Sequence, residues 1–492
     1  MADQPNILLI ITDHQAWYQH YFRDDFNIDL PQWEAFASQG TMFERTYAVA
    51  PICTPARASM MTGCYPSQHG MIWNTNLRHR GNHFDFRPDQ KLYSHHLSEA
   101  GYRNAYIGKW HCGTEKIIAD YGIEGWCPPE YGQPYLTDKY RSYAKSLGLG
   151  RPTGTIEHRL RRSGETGHGL IEDYMDASGT MDGPIEGHHD HFVSNLAKEK
   201  LAELCQSQQP WSLVASYWGP HHAYFPTEPF ANTIDPTTIP EDPTFNEDLS
   251  KRPFRYTQHF HTHSARTLWP KWSTWQKILA RTYEQQMQTD HAIGQLLEAL
   301  RHHGQAENTI VIWVADHGDT IGTHGGMWDK SSTYTEEVAR VPLTIRWPVH
   351  FRGNNRSSAL VSNMDVTATM LEAAGIAIPT EMASRSLLPL CRDPHDAEWS
   401  NTLICEHNGH GINLLQRILF QDQYKYVAAI YDGDELYDLQ KDPNETNNLI
   451  QSPDHQSIAE NLRHRLLHHI ESTDDRVASP LRPWLEGAFG AK

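Results

Sequence analysis

The sequence predicts an α/β fold: a doubly wound central sheet with helices on both faces, followed by a small C-terminal α+β unit with an antiparallel sheet. Three observations predict it. Short, continuously apolar runs recur far apart in the chain, helical patterns lie between them, and the pattern changes near residues 380–400. Strands covered on both faces read as unbroken apolar runs, and their alternation with helices is the mark of a doubly wound sheet.

The first run, Asn6-Ile7-Leu8-Leu9-Ile10-Ile11-Thr12-Asp13, is short and rich in β-branched residues. Trp211 to Trp218 and Thr309 to Asp316 repeat the pattern. Each ends in polar residues: Asp13-His14, His221-His222 and Asp316-His317. Ligands of open α/β sheets bind beyond the carboxyl ends of strands, so three such ends imply one shared site. His95 to Gly101 is expected to be the end of a helix, and further helices are expected from about Trp275 to His303 before Gly304 and from about Val366 to Gly375. Residues 120–190 and 219–270, rich in Gly, Pro, His and aromatics, are expected to be long loops over the catalytic edge. Tyr424 to Leu439 reads as a hairpin around Asp432-Gly433-Asp434, and a helix from about Ile458 to Ser472 follows. The division expected is a catalytic domain over 1–385 and a C-terminal subdomain over 386–492.

With 42 Lys and Arg against 60 Asp and Glu, the net charge of −18 argues against partners that need clustered positive charge, namely nucleic acid and anionic membranes. An anionic small substrate needs only a local group of cations and stays open. Seven dispersed cysteines form no disulfide framework and fit a reducing compartment. No secretory signal or membrane span is visible, so a cytoplasmic protein is expected. Oligomeric state leaves no mark in the sequence.

The sharpest local signal is Cys53-Thr54-Pro55-Ala56-Arg57, followed by Thr62-Gly63. Pro55 suits the first turn of a helix, and a thiol there is either structural or acidified by the helix N-terminus. A cysteine-phosphatase loop is disfavoured, because Pro55 lacks one of the backbone donors such a loop needs.

With Cys53, Pro55, Ala56, Arg57, Thr62 and Gly63 on the pattern Cys-x-Pro-Ser/Ala-Arg and then Thr-Gly, the chain resembles the sulfatase family of the alkaline phosphatase superfamily. Its companions occur in the family's order: Asn6–Asp13, Ala100-Gly101-Tyr102-Arg103 with Gly108-Lys109-Trp110-His111, Gly219-Pro220-His221, Ala315-Asp316-His317-Gly318, Lys330, Arg340-Val341-Pro342-Leu343 and Glu435 to Leu449. The resemblance implies an alkaline-phosphatase-like sheet and oxidation of Cys53 to formylglycine by a formylglycine-generating enzyme. It also implies one divalent cation, Ca²⁺ first and Mg²⁺ or Mn²⁺ as alternatives, at Asp13, His14, residue 53, Asp316 and His317. His14 departs from the family, where a second Asp or a Gln is usual, and offers a softer nitrogen with one negative charge fewer.

Lys109 and Lys330 are then the cations that meet charge on the sulfate oxygens. His111 and His221 are acid–base groups, and Arg57 steadies the hydrated aldehyde. Trp73, Asn74, His324 and His410 are expected near the substrate, with Lys109, His221 and Lys330; Glu406 and His407 are further polar candidates. The implied activity is hydrolysis of a carbohydrate, aryl or small alkyl sulfate ester. A formylglycine-dependent phosphonate monoester or phosphodiester hydrolase and an inactive binder of sulfated ligands are the competing readings.

Overall fold

The computed structural model describes residues 4–17, 26–75, 85–159, 166–173, 177–258, 260–330 and 332–487. Their centre is an eight-stranded mixed sheet. In chain order its strands are β1 (Asn6–Asp13), β2 (Thr41–Tyr47), β3 (Arg103–Gly108), β4 (Glu124–Trp126), β8 (Trp211–Pro220), β9 (Thr309–Ala315), β10 (Leu343–Arg346) and β11 (Asn355–Ser362). Side by side they run β11-β2-β10-β9-β1-β8-β3-β4. β10 lies antiparallel to both β9 and β2, whereas β9, β1, β8, β3 and β4 pair in parallel.

Every residue of β1 is buried, which is why it reads as one apolar run. Its side chains alternate between two cores. Leu8 and Ile10 join Leu213, Ala215, Val311 and Trp313 under the long helix Trp272–His302. Ile7, Leu9 and Ile11 join Val214, Ile310, Ile312 and Val314 on the opposite face, against the helices Tyr93–Glu99 and Asp365–Ala373. The three apolar runs therefore become the three adjacent strands β9, β1 and β8. In register, Asp13 stands opposite Pro220, and the Asp316 N–H donates to Thr12 O at 3.1 Å. One sheet edge receives Asp13, the residues after Gly108, His221 and Asp316.

A second sheet is an antiparallel meander of β12 (Thr402–His407), β13 (Gln416–Gln421), β14 (Tyr424–Ala429) and β15 (Glu435–Asp438), packed by the helix Gln456–Ser472. The hairpin and the helix after it thus lie where the pattern placed them, and a further short helix, Leu481–Leu485, follows. Leu388, Leu390 and Cys391 of the helix Leu388–Arg392 pack into the core of the central sheet. We propose to begin the second unit after Arg392 rather than at 386.

The stretches expected to be loops contain more regular structure. Between residues 120 and 190 lie the helix Asp138–Ser146 and a three-stranded antiparallel sheet of β5 (Thr153–Arg159), β6 (Gly167–Leu170) and β7 (Ala177–Met181). Between 219 and 270 lie the helices Arg255–Gln258 and Phe260–Leu268. β5 buries only Gly154 and Ile156 and β6 buries none of its residues, so they carry no apolar run for a sequence reading to find.

Gly108 ends β3 at φ +112°, and a Cβ there would collide with the Ser216 carbonyl oxygen. The close approach lets the Lys109 N–H bond Ser216 O at 3.0 Å and turns the chain into the site. Gly108→Ala is expected to cost about 2–4 kcal/mol; a thermal unfolding midpoint equal to the parent's would refute this account.

Candidate active site

Cys53 is the first residue of the helix Cys53–Thr62, preceded by Ile52 in extended conformation and ended by Gly63 at φ 68°. All ten helical residues are buried. The thiol Sγ lies 3.1 Å from His317 Nε2. The neighbouring Thr54 N–H donates to Asn74 Oδ1 at 3.0 Å, so Asn74 anchors the helix start.

One turn on, Arg57 points back under the sheet edge. Its guanidinium donates to Asp316 Oδ2 at 2.7 Å, Lys109 O at 2.9 Å and Ser216 Oγ at 2.8 Å, and Nη2 lies 3.8 Å from Asp13 Oδ1. Lys109, fully buried, pairs with Asp13 Oδ2 and lies 4.3 Å over the Tyr131 ring. Burial pushes the Asp13 carboxyl up, but the charges of Lys109 first and of Arg57 hold it well below the usual carboxylate range. Asp316 is pushed the other way, up to about 6, by burial and by Asp13 beside it. Arg57 and Lys109 match these two carboxylates in number.

His14 follows β1 at φ 61°. Its N–H donates to Asp316 Oδ1 at 3.3 Å, and its ring Nδ1 meets Asp319 Oδ2 at 2.9 Å. The ring sits 3.8 Å from that of His221 and 4.5 Å from that of His317. His317 donates its N–H to Asp316 Oδ1 at 2.8 Å and directs Nδ1 to Gly318 O at 2.8 Å.

A cation finds fitting donors here. Ligand atoms of Asp13, His14, Cys53 and His317 lie within 4.8 Å of one another. Asp13 Oδ1 and His14 Nε2 are buried without hydrogen-bond partners, a costly arrangement unless something positive faces them. Asp316 belongs to the same group through its bonds to His14, His317 and Arg57.

Around this group stand the acid–base candidates. His111, at φ 53°, is buried with both ring nitrogens free of hydrogen-bond partners. Burial and then Lys109 and Arg57 hold it neutral, well below the ordinary histidine range. His221 is likewise kept neutral, by burial and then by His222. Burial pulls Lys330 down, but Asp329, at 2.9 Å, outweighs this and keeps it charged. His221 also lines a small cleft with Tyr131, Tyr135, His188, His189 and Trp218. The Asp190 carboxylate fixes the approach to His221, accepting from Gly219 N–H at 3.1 Å and Thr289 Oγ at 2.6 Å.

The remaining sequence candidates sit further out. Trp73 donates its indole N–H to Asn408 O at 2.6 Å, and His410 Nδ1 lies 3.7 Å from Asp329 Oδ2, so both line the junction with the second sheet. Glu406 accepts from Ser67 N–H at 2.9 Å and Oγ at 2.6 Å and faces Arg417 at 3.6 Å; His407 is buried next to it. His324 is held by Glu247 Oε2 at 2.8 Å and Glu337 Oε2 at 3.2 Å. Asp319, Asp329, Tyr131 and Tyr224 were not singled out by the sequence. Only the nearness of Asp319 to Asp316 and of Asp329 to Lys330 marks the acids, and polar loops offer such spacing freely.

His324 carries a pH signature. Burial pulls its pKa down, but Glu337 and the bonds to both carboxylates raise it to about 10 from an ordinary 6.5. A group raised on folding stabilises the protein fully below its unfolded pKa and loses that contribution as pH rises through the folded one. Stability is therefore expected to decline between pH 6.5 and 10, and His324→Gln to flatten that decline while lowering stability at pH 6. Urea melts of both proteins across this range check it, and parallel profiles would refute it.

The family model described as Sulfatase matches residues 5–376, and that described as N-sulphoglucosamine sulphohydrolase, C-terminal, matches 322–472. The chain is 27% identical over 491 residues to the uncharacterized sulfatase YidJ of Escherichia coli K12, covering 99% of this chain and 91% of that one. It is 26% identical to the choline-sulfatase of Rhizobium meliloti, covering 92% and 83%. The phosphonate monoester hydrolase of Silicibacter pomeroyi has the same fold, with a TM-score of 0.78 at 21% identity and 97% of each chain covered. Among the described residues, no helix is long and apolar enough to cross a membrane.

Proposed function

The chain belongs to the sulfatase family and is a sulfuric ester hydrolase, and on that premise we propose that residue 53 works as a formylglycine beside a divalent cation. One observation carries this reading. The Cys53 side chain lies at a helix N-terminus within 4.8 Å of donor atoms from Asp13, His14 and His317. Sγ there stands in for an oxygen of the hydrated aldehyde that formylglycine would present.

When bound, the cation held by Asp13, His14, Asp316, His317 and residue 53 would acidify the hydrated aldehyde and offset the charge of the incoming sulfate. Ca²⁺ is our first assignment, with Mg²⁺ or Mn²⁺ as alternatives. Arg57 fixes Asp316 and the chain at Lys109. Lys109 and Lys330 meet the sulfate oxygens. One hydroxyl of residue 53, its proton given up to water, attacks sulfur as the S–O bond to the alcohol breaks, and the leaving oxygen takes a proton. Lys330, charged, is the better donor; His221, held neutral, orients the leaving group at its cleft. His111, neutral and without a hydrogen-bond partner, then takes the proton of the second hydroxyl. The carbonyl re-forms as the bond to sulfate breaks, and sulfate leaves.

Trp73, Asn74, His324 and His410 are proposed to shape this surroundings rather than react. The substrate is a carbohydrate, aryl or small alkyl sulfate ester. Seven cysteines, all unpaired, support a reducing, cytoplasmic setting, and a formylglycine-generating enzyme is the implied partner.

The mass of the peptide bearing residue 53 is expected to show an aldehyde or its hydrate in active protein, and Cys53→Ala to lower kcat by at least ~10³-fold. A fully active protein with an intact thiol would overturn the mechanism. Measured side by side, sulfate esters are expected to exceed phosphonate monoesters and phosphodiesters in kcat/KM. The opposite order would favour the phosphonate and phosphodiester reading on the same residues.

A further inference from the structure

Resting on the metal centre proposed above, we infer that Asp319 is a positioning residue that grips His14 through Nδ1 and so aims His14 Nε2 at the cation. Asp319 reaches His14 Nδ1 at 2.9 Å, while Nε2 is buried without a hydrogen-bond partner. The nearest carboxylate oxygen to Nε2, Asp329 Oδ1, is 3.7 Å away, too far for a hydrogen bond.

The surroundings of Asp319 make it an acceptor. Tyr224 donates its hydroxyl to Oδ2 at 3.0 Å, and the Ile321 N–H reaches Oδ1 at 3.3 Å. The Trp328 indole N–H, which can only donate, reaches the Tyr224 hydroxyl at 3.5 Å and leaves that hydroxyl's proton for Asp319. Burial and then Asp329 push the Asp319 carboxyl up to about 7, but Tyr224 and the Ile321 N–H donate to its two oxygens, and ionised it takes the His14 proton on Nδ1. Nε2 then bears the lone pair: a ring nitrogen of His14 lies within 4.8 Å of ligand atoms of Asp13, Cys53 and His317, and Nε2 is the one without a hydrogen-bond partner. Asp319 stands three residues beyond Asp316, in the turn after β9, whereas His14 follows β1. The relay from Trp328 through Tyr224 and Asp319 therefore fixes a ligand of one strand from the loop of its neighbour. A carboxylate behind a histidine makes the ring a stronger donor and fixes its orientation, which matters more for a nitrogen-accepting cation such as Mn²⁺ than for Ca²⁺.

The test is Mn²⁺ binding to the full chain, followed by electron paramagnetic resonance titration, with metal-free thermal melts confirming that each variant folds. Asp319→Ala is expected to weaken Mn²⁺ binding by about 10–100-fold. Asp319→Asn, which keeps an acceptor oxygen but no charge, is expected to recover part of that loss. In a His14→Ala background, Asp319→Ala should change affinity by less than about twofold. Equal losses with and without His14, or Asn behaving as Ala, would mean that Asp319 acts by charge alone and would overturn the positioning role. Should Asp319→Ala not fold, Tyr224→Phe measured in both backgrounds carries the same comparison, with a smaller loss expected only where His14 is present. Asp316→Asn separates the two readings. If it keeps parental Mn²⁺ affinity the metal centre itself is wrong, whereas if it loses Mn²⁺ while Asp319→Ala does not, only the positioning role falls.

Discussion

The Arg57 guanidinium is the interaction on which the rest of the site depends. It is fully buried, and it ties the helix carrying Cys53 to Asp316 after β9, to the chain at Lys109 after β3, and to Ser216 on β8. Burying such a cation is tolerable only where carboxylates and carbonyls surround it. Asp316 and Asp13 meet that demand, and with Asp319 and Asp329 beside them the group holds four buried acids against three buried cations, Arg57, Lys109 and Lys330. The site is built as an unfinished charge balance, which suits a centre that takes up a cation and then an anion.

The central sheet converts this local balance into a fixed geometry. Parallel pairing of β9, β1, β8 and β3 brings residues separated by as much as 303 positions to one edge. Two apolar layers hold the strands from both faces, so side chains at their ends inherit the rigidity of the core. The turns that follow depart sharply from the strands, with positive φ at Gly108, His14 and His111, and these turns aim Lys109 and the two histidines inward.

Much of this was legible in the sequence because burial writes a plain signal. β1, β8 and β9 are buried throughout and mostly apolar, and the polar residues at or just after their ends, Asp13, His221 and Asp316, stand out against that background. Cys53 and Lys109 needed a family resemblance, since a lone thiol or lysine carries no pattern of its own. Asp319, Asp329, Tyr131 and Tyr224 left no trace. Their importance lies in what they touch, and contacts between distant loops have no periodicity. A related reason hid β5 to β7: β5 and β6 are largely exposed, and β7, though mostly buried, is a short run of small and polar residues before Met181. His324 shows the converse: a conspicuous histidine whose partners, Glu247 and Glu337, only the folded chain reveals.

The position of β1 between β8 and β9 sets a clock on biosynthesis. The strand made first cannot be covered until the chain has been extended to about Ala315, because its partner on one side is completed only there. At a synthesis rate of roughly 5–20 residues per second, Cys53 leaves the ribosome tens of seconds before the edge around it can close. In the finished protein its side chain is only 1% exposed. Any enzyme that must handle this thiol is therefore best served by meeting the nascent chain, and the ordering of strands in the sheet determines how long that opportunity lasts.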